Sequence, residues 1–274
     1  MTQKFLKVIR EAGKIMLQAS EIDSKVESKQ GEANFVTKYD YEVQEYLRLS
    51  LGELLPDAAI IGEEGEEDKL YSHKKCFIID PIDGTTNFIF GNRHSAISVA
   101  LLQEGVPIFG AVYDPYQDEM FYAVKGIGAF LCRSSISNTP SLPENEAEII
   151  TRTEQPLKIK NLCLKEGLTC FGTSPYYRDL MDSSFELAKK LYENSLDIRR
   201  SGSAALDLCY IAAGRYVLFA EYVLQPWDYS AASLIVEEAG GAIHDLEGKA
   251  LTYDKPGSVI AGAPQAMEDF RKLQ

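Results

Sequence analysis

The sequence predicts a layered α/β protein in two parts. Short apolar strands crowd the middle of the chain with Gly and Pro between them. Farther on, strands and helices alternate to the C-terminus. The chain has 274 residues, which is two domains at about 150 residues each or one large unit.

The elements follow in order. Phe5, Val8, Ile9, Ala12, Ile15 and Met16 recur at helical spacing, so the chain opens on an amphipathic helix. Val43, Tyr46, Leu47 and Leu51 share one face of a second helix, over 40–54. An acidic loop comes next. Strands are expected over 76–80, 96–102, 107–113, 120–124 and 129–132, with gaps suited to antiparallel pairing. Residues 134–146 are rich in Ser, Pro, Asn and Glu and are read as the boundary between a half at 1–140 and a half at 141–274. Beyond it come strands near 149 and over 169–172, a helix over 177–192 and a strand over 196–199. A helix over 204–213, a strand over 216–222 and a helix over 230–239 succeed them. Strands over 242–245 and 258–261 and a helix over 265–273 close the chain.

Composition narrows the function. Hydrophobic residues make up 45% and charged residues 25%, so the chain can bury a core. The net charge is −13, from 28 Lys plus Arg against 41 Asp plus Glu, which argues against a general nucleic-acid or anionic-membrane binder. Five cysteines without a C-x-x-C pair fit a reducing cytoplasm. No apolar run is long enough to span a bilayer, and the start lacks the apolar core of a signal peptide.

The chemistry concentrates in Phe77-Ile78-Ile79-Asp80-Pro81-Ile82-Asp83-Gly84-Thr85-Thr86-Asn87-Phe88. An apolar strand delivers Asp80, Pro81 stops the ladder, and Asp83 comes next in a turn that Gly84 permits. The two carboxylates and the Ile82 carbonyl can converge as hard oxygen ligands, which suit Mg²⁺ or Mn²⁺ better than zinc. Backbone N–H groups of Gly84 to Thr86 could hold an anion beside that ion. A plain surface turn uses similar residues. Gly62-Glu63-Glu64 leaves another apolar run, where a solvated acidic loop is the alternative. Asp228 in Pro226-Trp227-Asp228 and Asp40 in Val36-Thr37-Lys38-Tyr39-Asp40 are both open to a helix-capping reading. His73, His94 and His244 are expected to stay out of the chemistry.

Taken together, Val36-Thr37-x-x-Asp40, Gly62-Glu63-Glu64, the Asp80–Phe88 segment and Trp227-Asp228-x-x-Ala231 resemble the inositol monophosphatase family in order and spacing. Gly110-Ala111-Val112-Tyr113, Gly126-x-Gly128-Ala129-Phe130, Gly202-Ser203-Ala204-Ala205 and Glu238-Ala239-Gly240-Gly241 extend the resemblance over most of the chain. It implies an αβαβα five-layer sandwich, a cytoplasmic homodimer, and hydrolysis of a small phosphorylated polyol or sugar by metal-activated water. Two or three Mg²⁺ per subunit are implied, with Mn²⁺ as a substitute. Glu63, Asp80 and the Ile82 carbonyl would hold a first metal, with Glu64 beside it. Asp80, Asp83 and Asp228 would hold a second. Glu63 and Thr85 match the pair that activates water, and Asp40 matches the residue orienting Thr85. Gly84 and Thr85 would bind the phosphate. Ala204, Glu221 and Asp228 match contacts to the alcohol, and Lys29 matches a basic residue near the metals.

The sequence departs from the family in places. Phe90 stands where a His is usual, Arg93 where a Pro is usual, and Gln44 where a Glu is frequent. Arg199 and Arg200 could reach a second phosphate or merely form a solvated strand end. Thr86 replaces the Lys usual in relatives acting on 3′-phosphoadenosine 5′-phosphate. Fructose 1,6-bisphosphate and a nicotinamide dinucleotide 2′-phosphate remain alternatives. Glu221 favours a polyol, since a carboxylate accepts hydroxyl hydrogen bonds and repels a second phosphate. A non-catalytic metal-binding regulator on the same fold is the rival from another class.

Overall fold

The structure is a computed structural model that describes residues 1–20, 26–28, 35–64, 74–136 and 150–273. Lys29, His73 and most of the 134–146 boundary lie outside them. Helices α1 (Thr2–Leu17) and α2 (Lys38–Leu54) come first, with a short antiparallel pair, β1 (Val26–Ser28) and β2 (Phe35–Thr37), between them. A seven-stranded sheet keeps the order of the chain. Its strands are β3 (Ala59–Gly62), β4 (Lys75–Asp83), β5 (Ala96–Gln103), β6 (Val106–Asp114), β7 (Glu119–Val124), β8 (Gly128–Ile136) and β9 (Ile150–Pro156). Only β3 and β4 pair in parallel; the other neighbours are antiparallel, as the short gaps between strands require. The strand expected near 149 is β9, and it pairs with β8, so this sheet includes chain from beyond position 140.

A five-stranded sheet holds β10 (Leu168–Phe171), β11 (Asp197–Arg199), β12 (Leu218–Leu224), β13 (Ala242–His244) and β14 (Gly257–Gly262), in the order β11-β10-β12-β14-β13. The single turn α3 (Thr85–Ile89) comes directly after β4. Four helices accompany the small sheet: α4 (Met181–Asn194), α5 (Ala204–Ala212), α6 (Pro226–Glu238) and α7 (Pro264–Arg271). Helices α1 and α2 cover one face of the large sheet. Helices α5 and α6 fill the space between the sheets, and α4 and α7 cover the far face of the small one. The layering is αβαβα.

Strand alternation explains the layers. In β5, Ile97, Val99 and Leu101 join the core under α1 and α2, while Ala96, Ala100 and Leu102 join the core around α5 and α6. Both faces are buried, so the strand reads as a continuous apolar run. In β12, Phe219 faces the central helices and Leu218 and Ala220 face α4 and α7. Helix α6 lies against β6 at Gly110, where a Cβ would come within 2.4 Å of the Ala231 carbonyl oxygen. No larger residue admits that approach, and it seats the N-terminus of α6 over the end of β4.

Two expectations need correction. Pro81 does not end the strand: β4 runs on to Asp83, with a bulge opposite β5. Helix α6 begins at Pro226, not 230, because Pro suits the first helical position and Gln225 with Asp228 forms a capping box. Asp228 therefore lies inside the first turn.

Candidate active site

Asp80 pairs with Ser98 and Asp83 with Ala96, so three steps along β4 match two along β5. In a regular strand, residues three apart point to opposite faces. The extra residue at Pro81–Ile82 resets the alternation. Ile82 accordingly joins Phe77 and Ile79 under α1 and α2, and both aspartates face the central helices. Ser98, opposite Asp80, donates a hydrogen bond to the Trp227 carbonyl at 3.2 Å, which ties this face to the start of α6. There Asp228 stands in the first turn, its Oδ2 accepting the Gln225 N–H at 2.7 Å.

One carboxylate oxygen from each of Asp80, Asp83 and Asp228 lies within 4.8 Å of the others. Burial pushes the Asp80 carboxyl well above the usual range, and the charges of Glu63, Asp83, Asp228 and Asp40 push it further. Asp228 is raised by burial and by Asp83 and Glu63. Asp83 is raised by burial to about 6, less because Ser203 Oγ and the Ala205 N–H (3.0 Å) both donate to its Oδ2. Those donors belong to the N-terminus of α5, so one carboxylate joins the sheet to a helix 120 residues away.

Glu63 arrives by the parallel pairing of β3 with β4. Gly62 is in register with Ile79, and the Glu63 N–H donates to the Ile79 carbonyl at 3.0 Å. Glu64 is buried. Its N–H donates to Gln44 Oε1 at 2.9 Å, and Gln44 Nε2 donates back to its carbonyl.

Asp40 caps a helix and also meets Thr85. Its Oδ2 accepts from the Thr37 N–H (2.8 Å) and hydroxyl (2.6 Å), closing a capping box at the start of α2. Its Oδ1 lies 3.4 Å from the Thr85 hydroxyl, which is also 3.0 Å from the Ile82 carbonyl. Gly84 precedes Thr85 at φ +84, with the carbonyls of Gly202 and His94 close to where a Cβ would sit. Only glycine takes that conformation without strain in so little space.

These groups face a cleft of about 300 Å³. Glu63, Asp80, Ile82, Asp83, Gly84, Thr85, Ala204, Glu221 and Asp228 all line it; Asp40 stands behind Thr85. Asp207, which sequence reasoning missed, is a further lining residue. Burial raises it to about 7, and Ser201 Oγ donates to its Oδ2 at 2.7 Å. Burial likewise raises Glu221 to about 7. Six carboxylates (Glu63, Asp80, Asp83, Asp207, Glu221, Asp228) thus share the described lining with one cation, Arg200. An all-oxygen cluster so short of positive charge fits a hard divalent cation. Arg199 instead pairs with Asp197 at 2.5 Å on the exposed strand end. His94 is pushed down by burial and packs edge-on against Tyr210, away from the cleft lining. All five cysteines are free. Among the described residues no helix is long and apolar enough to cross a membrane.

Such a carboxylate-rich cleft, at the seam of an αβαβα sandwich, is the setting in which a hard cation and an anionic ligand can be held side by side. The chain belongs to the inositol monophosphatase family, whose profile matches residues 1–274. It is 32% identical over 259 residues to the inositol-1-monophosphatase of Bacillus subtilis, covering 94% of this chain and 90% of that one. It is also 32% identical over 265 residues to Nus factor SuhB of Vibrio cholerae, covering 96% and 91%. Among solved structures it is similar to the Thermotoga maritima IMPase, with a TM-score of 0.81, 29% identity and 97% and 93% coverage. For the extragenic suppressor protein suhB of Bartonella henselae the TM-score is 0.84 at 28% identity, with 99% and 96% coverage.

Proposed function

We propose that this chain is a Mg²⁺-dependent phosphatase of small polyol or sugar monophosphates, inositol monophosphate among them, with water as the nucleophile. The observation that carries the reading is the convergence of Asp80, Asp83 and Asp228 within 4.8 Å, in a cleft that Glu63 and Thr85 also line. Glu63, Asp80 and the Ile82 carbonyl would hold one metal, and Asp80, Asp83 and Asp228 a second; two or three Mg²⁺ per subunit, or Mn²⁺ in their place, are expected. When bound, the metal supplies the positive charge that draws in the phosphate dianion and offsets the charge developing on it.

The protein's own groups orient the reaction. Thr85 and Glu63 position the attacking water, and Asp40 accepts a hydrogen bond from the Thr85 hydroxyl, which turns a lone pair of that hydroxyl toward the water. Gly84 and Thr85 N–H groups receive the phosphoryl oxygens. Glu221, Asp228 and the Ala204 backbone meet the alcohol, where a carboxylate suits hydroxyl groups. We divide the chain into a half at 1–140 with most of the ligands and a half at 141–274 with Asp228 and the alcohol contacts, the first strand of the second half, β9, completing the sheet of the first. A cytoplasmic homodimer that binds neither nucleic acid nor membrane completes the proposal. The exposed Met181, Phe185 and Tyr192 on α4 support self-association.

A non-catalytic regulator is the second reading, favoured by the name Nus factor that some relatives carry. The complete carboxylate set favours hydrolysis. Phosphate release should be measured with Mg²⁺ on inositol 1-phosphate, fructose 1,6-bisphosphate, a nicotinamide dinucleotide 2′-phosphate and 3′-phosphoadenosine 5′-phosphate. Release from inositol 1-phosphate that stops on chelation supports the proposal. Comparable rates on the bisphosphates overturn the polyol preference, and no release from any ester supports the regulator.

A further inference from the structure

The segment between β10 and α4 carries an unusual residue. Ser174 is buried to 2% exposure and adopts φ 43, a left-handed conformation that costs a non-glycine residue about 1 kcal/mol. Such a cost persists only where surrounding contacts over-determine it. Here they do. The Ser174 N–H donates to Glu221 Oε1 at 2.7 Å, and its hydroxyl lies 3.4 Å from the same oxygen. The hydroxyl also accepts the Val223 N–H at 3.0 Å and lies 3.3 Å from the Val223 carbonyl, so it is bonded to the strand that carries Glu221. Gly172 confines the carboxylate from the other side, since a Cβ there would overlap it. Glu221 is left with one orientation.

The same turn directs the next two residues. Pro175 and Tyr176 line the same cleft as the carboxylates, and Tyr176 stays half exposed there. Pro175 fixes its own φ and removes a backbone donor that the turn does not need.

We propose that Ser174 is a positioning residue for substrate selection. By locking Glu221, it makes the cleft discriminate esters of hydroxyl-bearing ring alcohols from esters whose leaving group has no hydroxyl. The inference rests on the hydrolase reading above. Ser174 touches no reacting atom and acts through Glu221.

The test uses the full chain with Mg²⁺ and compares kcat and KM for inositol 1-phosphate and p-nitrophenyl phosphate. The variants are Ser174→Ala, Ser174→Gly, Glu221→Gln and the Ser174→Ala/Glu221→Gln pair. In Ser174→Ala, KM should rise about fivefold more for inositol 1-phosphate than for p-nitrophenyl phosphate, the equivalent of one hydrogen bond. Glu221→Gln should shift the same ratio, and the double variant should lose no more than Glu221→Gln alone. Ser174→Gly relieves the left-handed strain, so its thermal midpoint should hold while the ratio still falls; lost selectivity then does not come from unfolding. Equal losses on both esters, or additive losses in the pair, overturn the positioning role. A wild-type chain that releases phosphate from neither ester overturns the hydrolase reading itself, a distinct result.

Discussion

The Asp40 carboxylate and the Thr85 hydroxyl, 45 residues apart, meet at 3.4 Å while the other oxygen of Asp40 caps the helix that carries it. One side chain thus fixes a helix start and a reactive hydroxyl together. Asp40→Asn should keep one acceptor for Thr37 but cannot accept from Thr85 once its amide nitrogen faces that way. We expect kcat to fall by about 100-fold, with a loss of roughly 1 kcal/mol in stability. Steady-state kinetics with a urea titration checks both numbers. A stability loss without a kinetic one would leave Asp40 as a cap only.

Asp83→Asn should separate metal binding from folding. Activity should drop by orders of magnitude and Mg²⁺ affinity, measured by titration calorimetry, at least about 10-fold, as for loss of a ligand or its support. Without metal the variant should be no less stable than wild type at pH 8, because it removes one of several buried, mutually repelling charges. Full activity in this variant would sink the two-metal assignment.

The metal-free protein should lose stability as pH rises. Asp207 and Glu221 ionise at about 7 and Asp114 at about 6 in the fold, whereas carboxyls of an unfolded chain ionise near ~4. The native state therefore holds these protons more tightly. Its advantage is complete below pH ~4 and is lost as pH climbs through 6 to 7. In EDTA the thermal midpoint should fall between pH 5 and 8, by roughly 2–4 °C per kcal/mol lost. Added Mg²⁺ should recover most of it at pH 8. A midpoint that rises with pH would contradict the burial described for these groups.

Gln44 both donates to and accepts from the Glu64 backbone. A carboxylate cannot donate, so Gln44→Glu should lose half of this contact and set a charge against a carbonyl. We expect kcat/KM to fall about 10-fold and stability to drop by about 1–2 kcal/mol. Wild-type kinetics in Gln44→Glu would show that the backbone at Glu64 needs no such support.

Local chemistry was legible where one segment contains it. The spacing of Asp80 and Asp83, the glycine after them and the place of Glu63 at the end of an apolar run could be read from residue types. The bulge could not, because it exists only opposite Ser98 and Ala96 of the neighbouring strand. Asp40 and Asp228 each looked like either a cap or a site residue, and each occupies a capping box while facing the cleft or its Thr85 wall. Gly110 and Ala231 stood in the sequence as matches without a reason; their close approach supplies one. Asp207 was invisible because its burial depends on β12 and α5 arriving from elsewhere; within 170–176, where the family resemblance puts substrate-selective contacts, no residue type marked Ser174. The pairing of β9 with β8 was hidden for a related cause: a compositional break between two strands says nothing about whether they pair across it.

The bond from Ser203 to Asp83 and the seat of Asp228 on α6 give the cleft a timetable. During synthesis Glu63, Asp80 and Asp83 leave the ribosome long before residue 228, and as hydrated carboxylates they cost little. The repulsion among them arises only when α5 and α6 dock and expel water. Docking of α5 and α6 is therefore the step at which these carboxylates must take up protons or be matched by a cation.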